Sequence, residues 1–253
     1  MQKCWNILNW FRYCYQRCSK NIPKSNIKGI HHTNNPTKLV TWNVQALFYF
    51  LFPNKLENII TELKTFESDV LCLQEVFEPK YKKTIIKELN QIYPYYLCGN
   101  LKRKYCICED SGLLILSKYD IQFVKEVFLH NLTSCDNLSK RTILYFTIGE
   151  INFAMSHLQS NNEDGSEKHL EYLLDECPFE EFVILGDLNH KNADRIVGVK
   201  KNNTINTWNN QILDYILPVN MEEYKFDVKT LLNDITFVTD HQPVFAELTE
   251  RYG

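Results

Sequence analysis

Phe182-Val-Ile-Leu-Gly-Asp-Leu-Asn189 is the stretch whose reading decides the fold. Its four leading apolar residues, rich in β-branched types, predict a buried strand of an α/β sheet. Gly186 then releases the backbone, and Asp187 and Asn189 follow at i and i+2. In a chain that stays extended, both side chains point the same way. An acid and an amide at the carboxyl end of a buried strand stand where open α/β sheets place their ligand crevices. The bland alternative is a strand-end turn whose Asp and Asn bond only to nearby backbone. This stretch alone supports both equally.

Working outward, the same signature recurs. Lys38-Leu-Val-Thr-Trp-Asn-Val44 reads as a strand ending in Asn43, and Asp69-Val-Leu-Cys-Leu-Gln-Glu-Val76 as a buried strand with Glu75 near its end. A strand from Ile151 runs into His157, another over 212–217 carries Asp214, and Asp240-His241 leads into the apolar segment that closes the chain. Asn54 is placed to cap a helix over KLENIITELKTF, Pro79 to open a second helix reaching about Ile92, and 166–176 reads as a third, short helix. Further strands are expected around 94–98, 111–117, 121–128, 142–148, 151–156 and 223–228. Gly149-Glu150 serves as a hairpin turn, and 190–210 reads as a polar loop. Helices mixed with several hairpins predict an α/β fold of two packed sheets with helices outside.

At 253 residues with 44% apolar residues, the chain is long enough for one large domain with a sizeable core. No run approaches the roughly 18 apolar residues of a membrane helix. The opening MQKCWNILNWFRYCYQRC puts Asn, Arg and Gln where the apolar part of a secretory leader belongs, so no leader is expected. Nine cysteines in no regular framework predict idle or buried thiols in a reducing, intracellular compartment. Residues 1–38 hold seven Lys and Arg and no acid, leaving 21 basic against 31 acidic residues beyond them, a net of −10. So acidic a body is poorly matched to wrapping duplex DNA. The division expected is a basic aromatic tail and linker over 1–37 and a catalytic domain over 38–253. The tail reads as loosely docked; its first 20 residues also suit peripheral contact with an anionic membrane, with Cys4, Cys14 and Cys18 as acylation sites.

Asn43, Glu75, His157, Asp187, Asn189, Asp214 and the Asp240-His241 pair each lie within or at the end of an otherwise apolar strand. Polar and charged groups in such places cost several kcal/mol each unless paired or metal-bound. Each alone has a structural explanation; all of them idle together is improbable. The blocks TWNV (41–44), LQEV (73–76), SGLLILSK (111–118), SHLQ (156–159), GDLN (186–189), LDYI (213–216) and TDHQPV (239–244) resemble, in order, those of the endonuclease/exonuclease/phosphatase superfamily. The resemblance implies a four-layer α/β/β/α sandwich of the DNase I-like kind and Mg²⁺-dependent hydrolysis of phosphate esters, with Mn²⁺ able to substitute. It implies that Glu75 and Asn43 hold the metal, that Asp187 orients and deprotonates water, and that Asn189 and His157 hold phosphate oxygens. His241, oriented by Asp214, stabilises the phosphoryl group in the transition state, and Asp240 assists. Lys140 and Arg141 are placed to add positive charge at the phosphate. An Arg that many relatives carry shortly before the residue matching Asp214 is missing, since Ile212 and Leu213 stand there.

The wording LQEVF and SHLQS resembles the neutral sphingomyelinase branch. The apolar run 46–52 after Asn43 is placed either to rim the cleft against acyl chains or to pack under the first helix. A phospholipid diester such as sphingomyelin is therefore the first expectation. A nucleic acid is the rival, through Lys102-Arg-Lys104 with Tyr105, and Lys200-Lys201 near Trp208. No obligate protein partner is expected.

Overall fold

The computed structural model describes residues 35–46, 54–99, 111–131, 136, 141–160, 162–200, 206–231 and 238–251. The tail before Asn35, Lys140, the cluster 102–105 and all of the 46–52 run but Ala46 fall outside these. One sheet contains β1 (Lys38–Asn43), β2 (Val70–Gln74), β3 (Tyr95–Cys98), β4 (Leu114–Ser117), β10 (Tyr224–Thr230) and β11 (Val244–Glu250), in the order β10-β11-β1-β2-β4-β3. The other contains β5 (Gln122–Phe128), β6 (Thr142–Ile148), β7 (Ile151–His157), β8 (Phe182–Asp187) and β9 (Asp214–Val219), in chain order.

The strands at the centre are apolar on both sides because each serves two cores. Along β1, Val40 and Trp42 pack under helices α1 (Lys55–Thr65) and α2 (Pro79–Leu89), while Leu39 turns towards the second sheet. Along β8, Val183 and Leu185 join that same inter-sheet core, while Phe182 and Ile184 pack under α3 (Glu163–Asp175) and α4 (Ala193–Val197). Alternation with period two thus divides one apolar run between opposite faces. The result is the α/β/β/α sandwich expected from the sequence.

Element ends differ where local bonds override the pattern. Asn54 makes no side-chain cap on α1, whereas Asn162 caps α3 by accepting from the Gly165 amide at 3.2 Å, so α3 starts before residue 166. The second helix stops at Leu89, with Asn90 beyond it, rather than reaching Ile92. A short α4 interrupts the expected polar loop, closed by Gly198 at φ 77°. β4 begins at Leu114 instead of 111 and β9 at Asp214 instead of 212, and β11 begins after Pro243. Gly149-Glu150 makes the expected tight turn between Ile148 and Ile151. The described cysteines Cys72, Cys98 and Cys177 are free thiols.

Strand direction positions the site. β1 and β2 run parallel, as do β7 and β8, so Asn43, the residue after Gln74, His157 and Asp187 all emerge at carboxyl ends. Antiparallel β9 starts opposite Asp187, with Asp214 as its register partner. Gly186 permits this closeness: a Cβ there would lie 1.9 Å from the Ser156 carbonyl oxygen, and its φ is 140°.

At the opposite pole Asp69 fastens the start of β1 to that of β2. Its Oδ2 accepts from the Thr37 and Lys38 amides at 2.9 and 3.0 Å, and its Oδ1 from Lys118 Nζ at 3.1 Å. Burial opposes ionisation of Asp69, but these donors outweigh it and hold the carboxyl below its ordinary value. A carboxyl depressed on folding stabilises the fold above its unfolded pKa of about 4 and loses that contribution as pH falls through the folded value. Asp69→Asn should therefore cost about 1–2 kcal/mol at pH 7. In urea unfolding the gap to wild type should shrink as pH falls below the unfolded value of about 4; a gap independent of pH would refute this role.

Candidate active site

The polar residues that emerge at the carboxyl ends touch one another. Asn43 Nδ2 donates to Glu75 Oε1 at 3.2 Å and to Asp187 Oδ2 at 3.0 Å, joining the two sheets. Asn43 Oδ1 accepts from the Gln45 amide at 3.0 Å. Glu75 follows β2 at φ 60° and Asn189 follows β8 at φ 48°. For a residue such as Glu this conformation is uncommon and held by its surroundings, a form of strain that gathers at functional sites. The bend at Asn189 also corrects the expectation that Asp187 and Asn189 project in parallel. Asn189 holds Asp187 Oδ1 with its backbone amide at 3.1 Å, while its side chain donates to the Leu158 carbonyl at 3.1 Å.

Two histidines flank Asp187 in opposite protonation states. His241 Nδ1 lies 2.8 Å from Asp214 Oδ2, and its Nε2 is 3.8 Å from Asp187 Oδ2. Burial alone would lower its pKa, but Asp214 and Asp187 outweigh that and raise it to about 10, so the ring is an imidazolium donating to Asp214. His157 Nε2 stands 3.4 Å from Asp187 Oδ2 and 3.8 Å from Glu75 Oε1. Burial, the Arg141 charge and the His241 charge together push His157 well below its ordinary value, so it is neutral. Burial and the Asp214 charge raise Asp187 to about 7, against the pull of His241 and the Asn43 donor. Burial also raises Glu75, while Arg141 opposes the shift.

The donor set suits a hard cation at Glu75. Its side chain is 17% exposed, against 2% for Asp187 and 0% for Asp214, so of these carboxylates it is the one that reaches the cleft. A carboxylate oxygen matches magnesium, whereas Asn43 turns its Nδ2 rather than its Oδ1 towards Glu75. Asp187, Asp214 and His241 also bring ligand atoms within 4.8 Å of one another. In this trio the same atoms also contact one another and Asn43: His241 Nδ1 lies 2.8 Å from Asp214 Oδ2, and Asp187 Oδ2 accepts from Asn43 Nδ2.

Around this centre lies a rim. Thr207 Oγ1 accepts from the Leu213 and Asp214 amides at 2.9 and 3.1 Å, and the Gln242 amide donates to the Thr207 carbonyl at 2.8 Å. Trp208 thereby lies beside His241, ring centroids 6.1 Å apart, with Nε1 donating to Asp240 Oδ2 at 2.9 Å. Asp240 itself is half exposed, its Oδ1 3.9 Å from His241 Nε2. Lys55 Nζ donates to Gln45 Oε1 at 3.1 Å within the fields of Asp240 and Glu75; burial lowers its pKa. Arg141 is buried where both Glu75 and His157 feel its charge, and its Nη1 has no hydrogen-bond partner among the described residues. A buried donor left unpaired costs about 1–3 kcal/mol, which an incoming anion would relieve.

The family model described as the Endonuclease/Exonuclease/phosphatase family matches residues 40–241. The chain belongs to this family. The endonuclease/exonuclease/phosphatase family consists of phosphoric ester hydrolases, and the sandwich found here is its DNase I-like fold. No curated protein matches the sequence. Among solved structures, sphingomyelinase C from Streptomyces griseocarneus superposes with a TM-score of 0.67 at 15% identity, covering 85% of this chain and 99% of that one. A beta toxin variant from Staphylococcus aureus with bound magnesium ions gives 0.66 at 17% identity, covering 84% and 99%. Humanized D. rerio TDP2 gives 0.62 at 18% identity, covering 85% and 99%. At such identities these likenesses speak for the fold.

Asn43, Glu75, His157, Asp187, Asp214 and His241 thus meet at one edge, with Asn189, Asp240 and Arg141 around them; Lys140 is outside the described residues. Ala46 is fully buried in the core under the helices, which settles the packing alternative for that residue of the 46–52 run. Sequence reasoning missed Thr207, Thr239, Lys55, Asp136 and Ser160 as parts of the site's surroundings. Thr239 Oγ1 donates to the Asn43 carbonyl at 2.9 Å and accepts from the His241 amide at 3.3 Å. The T-D-H and N-T-W triplets were the available signal, since a hydroxyl two residues before a buried His, or seven before a buried strand-opening Asp, has backbone to satisfy. Asp214→Asn should bring His241 down from about 10 towards the ordinary imidazole value of about 6.5. An NMR titration of the His241 ring reads this directly; an unchanged midpoint would remove Asp214 as the cause.

Proposed function

We propose that the chain is a Mg²⁺-dependent phosphodiesterase in which Asp187 activates the attacking water. The observation that carries this reading is the junction at Asp187, where Asn43, His157 and His241 converge on one carboxylate oxygen. A base poised near neutral pH is the form general-base catalysis favours. The Asn189 amide and Asn43 Nδ2 fix its two oxygens, leaving it oriented for a water proton. His241, held as imidazolium by Asp214, supplies a charged donor where negative charge develops on the phosphoryl oxygens. His157, kept neutral, supplies an uncharged N–H beside it, and Arg141 Nη1 offers a third donor. Glu75 and Asn43 would hold Mg²⁺, which when bound supplies a Lewis acid at the phosphate oxygens. Manganese suits the same oxygen donors.

Asp187→Ala and His241→Ala should each lower turnover by roughly two orders of magnitude or more while the circular-dichroism spectrum stays native. EDTA should abolish activity, and Mg²⁺ or Mn²⁺ should restore it. Near-wild-type turnover by either variant, or activity that survives chelation, would refute the mechanism.

For the ester's organic groups the first reading is a phospholipid diester such as sphingomyelin, supported by the net −10 body, which suits a polyanionic nucleic acid poorly. The second is a nucleic acid, favoured by one specific observation: Trp208 offers an aromatic ring next to His241, where a base would stack. Assays run in parallel on sphingomyelin vesicles, abasic duplex DNA and poly(A) should show vesicle hydrolysis in the first case. Cleavage confined to nucleic acid would overturn the lipid reading and leave the catalytic one intact.

A further inference from the structure

Arg141 and Ser160 stand on opposite sides of one buried carboxylate. Asp136 Oδ1 accepts from Arg141 Nε at 3.1 Å and also from Nη2. Its Oδ2 accepts from the Ser160 amide at 2.7 Å and from the Ser160 hydroxyl at 2.9 Å. Asp136 and Arg141 are 4% and 5% exposed, so the ion pair is removed from water. The Leu129 amide donates to the Arg141 carbonyl at 3.0 Å, closing the segment that carries Asp136. Ser160 lies three residues beyond His157, and Arg141 immediately precedes β6, whose Ile143 pairs with Ser156. The carboxylate therefore ties the exit of β7 to the entry of β6 behind the catalytic edge.

A guanidinium is a planar fork whose donors move together. Two nitrogens of that fork are spent on Asp136, and the third, Nη1, is buried with no hydrogen-bond partner among the described residues. An arginine needed only for packing would gain by turning Nη1 to an acceptor; held in this way it keeps a donor in reserve. Burying a charge pair is rarely a gain in stability by itself, since desolvation offsets the attraction.

We propose that Asp136 is a positioning residue: it holds the Arg141 guanidinium by its Nε–Nη2 edge so that Nη1 is presented to a non-bridging oxygen of the substrate phosphate. The assignment rests on the reading of Arg141 as a phosphate ligand. Asp136 touches no substrate; it acts through Arg141, while its second oxygen keeps Ser160 and the end of β7 in register with that side chain. A lysine at 141 would not serve, because a point-charge ammonium has no second edge to be held by.

The test is a double-mutant cycle on the full chain with Mg²⁺ and bis(4-nitrophenyl) phosphate. Arg141→Ala should lower kcat about a hundredfold, and Asp136→Asn at least about tenfold. The double variant should be no slower than Arg141→Ala, as for residues that act as a unit. Millimolar guanidinium should restore activity to Arg141→Ala several-fold where equal KCl does not, and should do so far less in the double variant. A purely structural Asp136 would give neither the non-additivity nor the dependence of rescue on the carboxylate. If Asp136→Asn fails to fold, Asp136→Ser replaces it, retaining an acceptor for the Ser160 amide. Wild-type turnover by Arg141→Ala would overturn the phosphate reading of Arg141 itself. A crippled Arg141→Ala beside a fully active Asp136→Asn, additive losses, or equal rescue in the double variant would overturn the positioning role alone.

Discussion

The contact between Asp214 and His241 is the constraint on which the rest depends. One belongs to the first residue of β9 and the other to the approach to β11, so the 2.8 Å pair joins the two sheets at their open edge. Neither charge can leave for water without parting the layers there. The surrounding bonds hold His241 from several directions: Trp42 Nε1 donates to its carbonyl at 2.9 Å, and Thr239 braces its amide against the end of β1. With the imidazolium fixed, Asp187 feels a positive neighbour and Asp214 a counter-ion. His157 is kept uncharged first by burial, then by the Arg141 charge and this imidazolium. The buried proton on His241 thus adds to a charge pattern that burial largely sets.

Much of this was legible in the sequence because burial writes itself strongly there. A polar residue such as Asn43 or Asp187 at the end of an apolar strand is conspicuous, and the layered fold follows from strands apolar on both faces. What could not be read were bonds whose partners are remote and ordinary. Thr207 reaches Leu213 and Asp214 across a turn, and Asp136 reaches Ser160 across a hairpin; Thr, Asp and Ser in polar loops carry no periodic signal. Helix ends failed for a similar reason. Asn54 has the composition of a cap without the geometry, since its φ and ψ of −79° and −14° are already helical, whereas Asn162 at −153° and 95° stands where a cap must.

The division between chemistry and selectivity has a physical basis. The clustered polar groups lie at strand ends pinned by register: His157 against Asp187, and Asp187 against Asp214. Trp208, by contrast, lies on a connection, bridged to Gln211 and His241. The family acts on lipid and nucleic-acid phosphodiesters alike, so the strand-end residues say little about which is cut.

The way the chain enters the domain gives the enzyme a direction. Asn35 receives the Glu150 amide at 2.8 Å at the turn that begins β7, and β7 then runs seven residues, about 20 Å, before it delivers His157. The described chain thus enters the sandwich at the pole opposite Asp187 and His241, and the length of a strand separates its first fastening from the buried cluster.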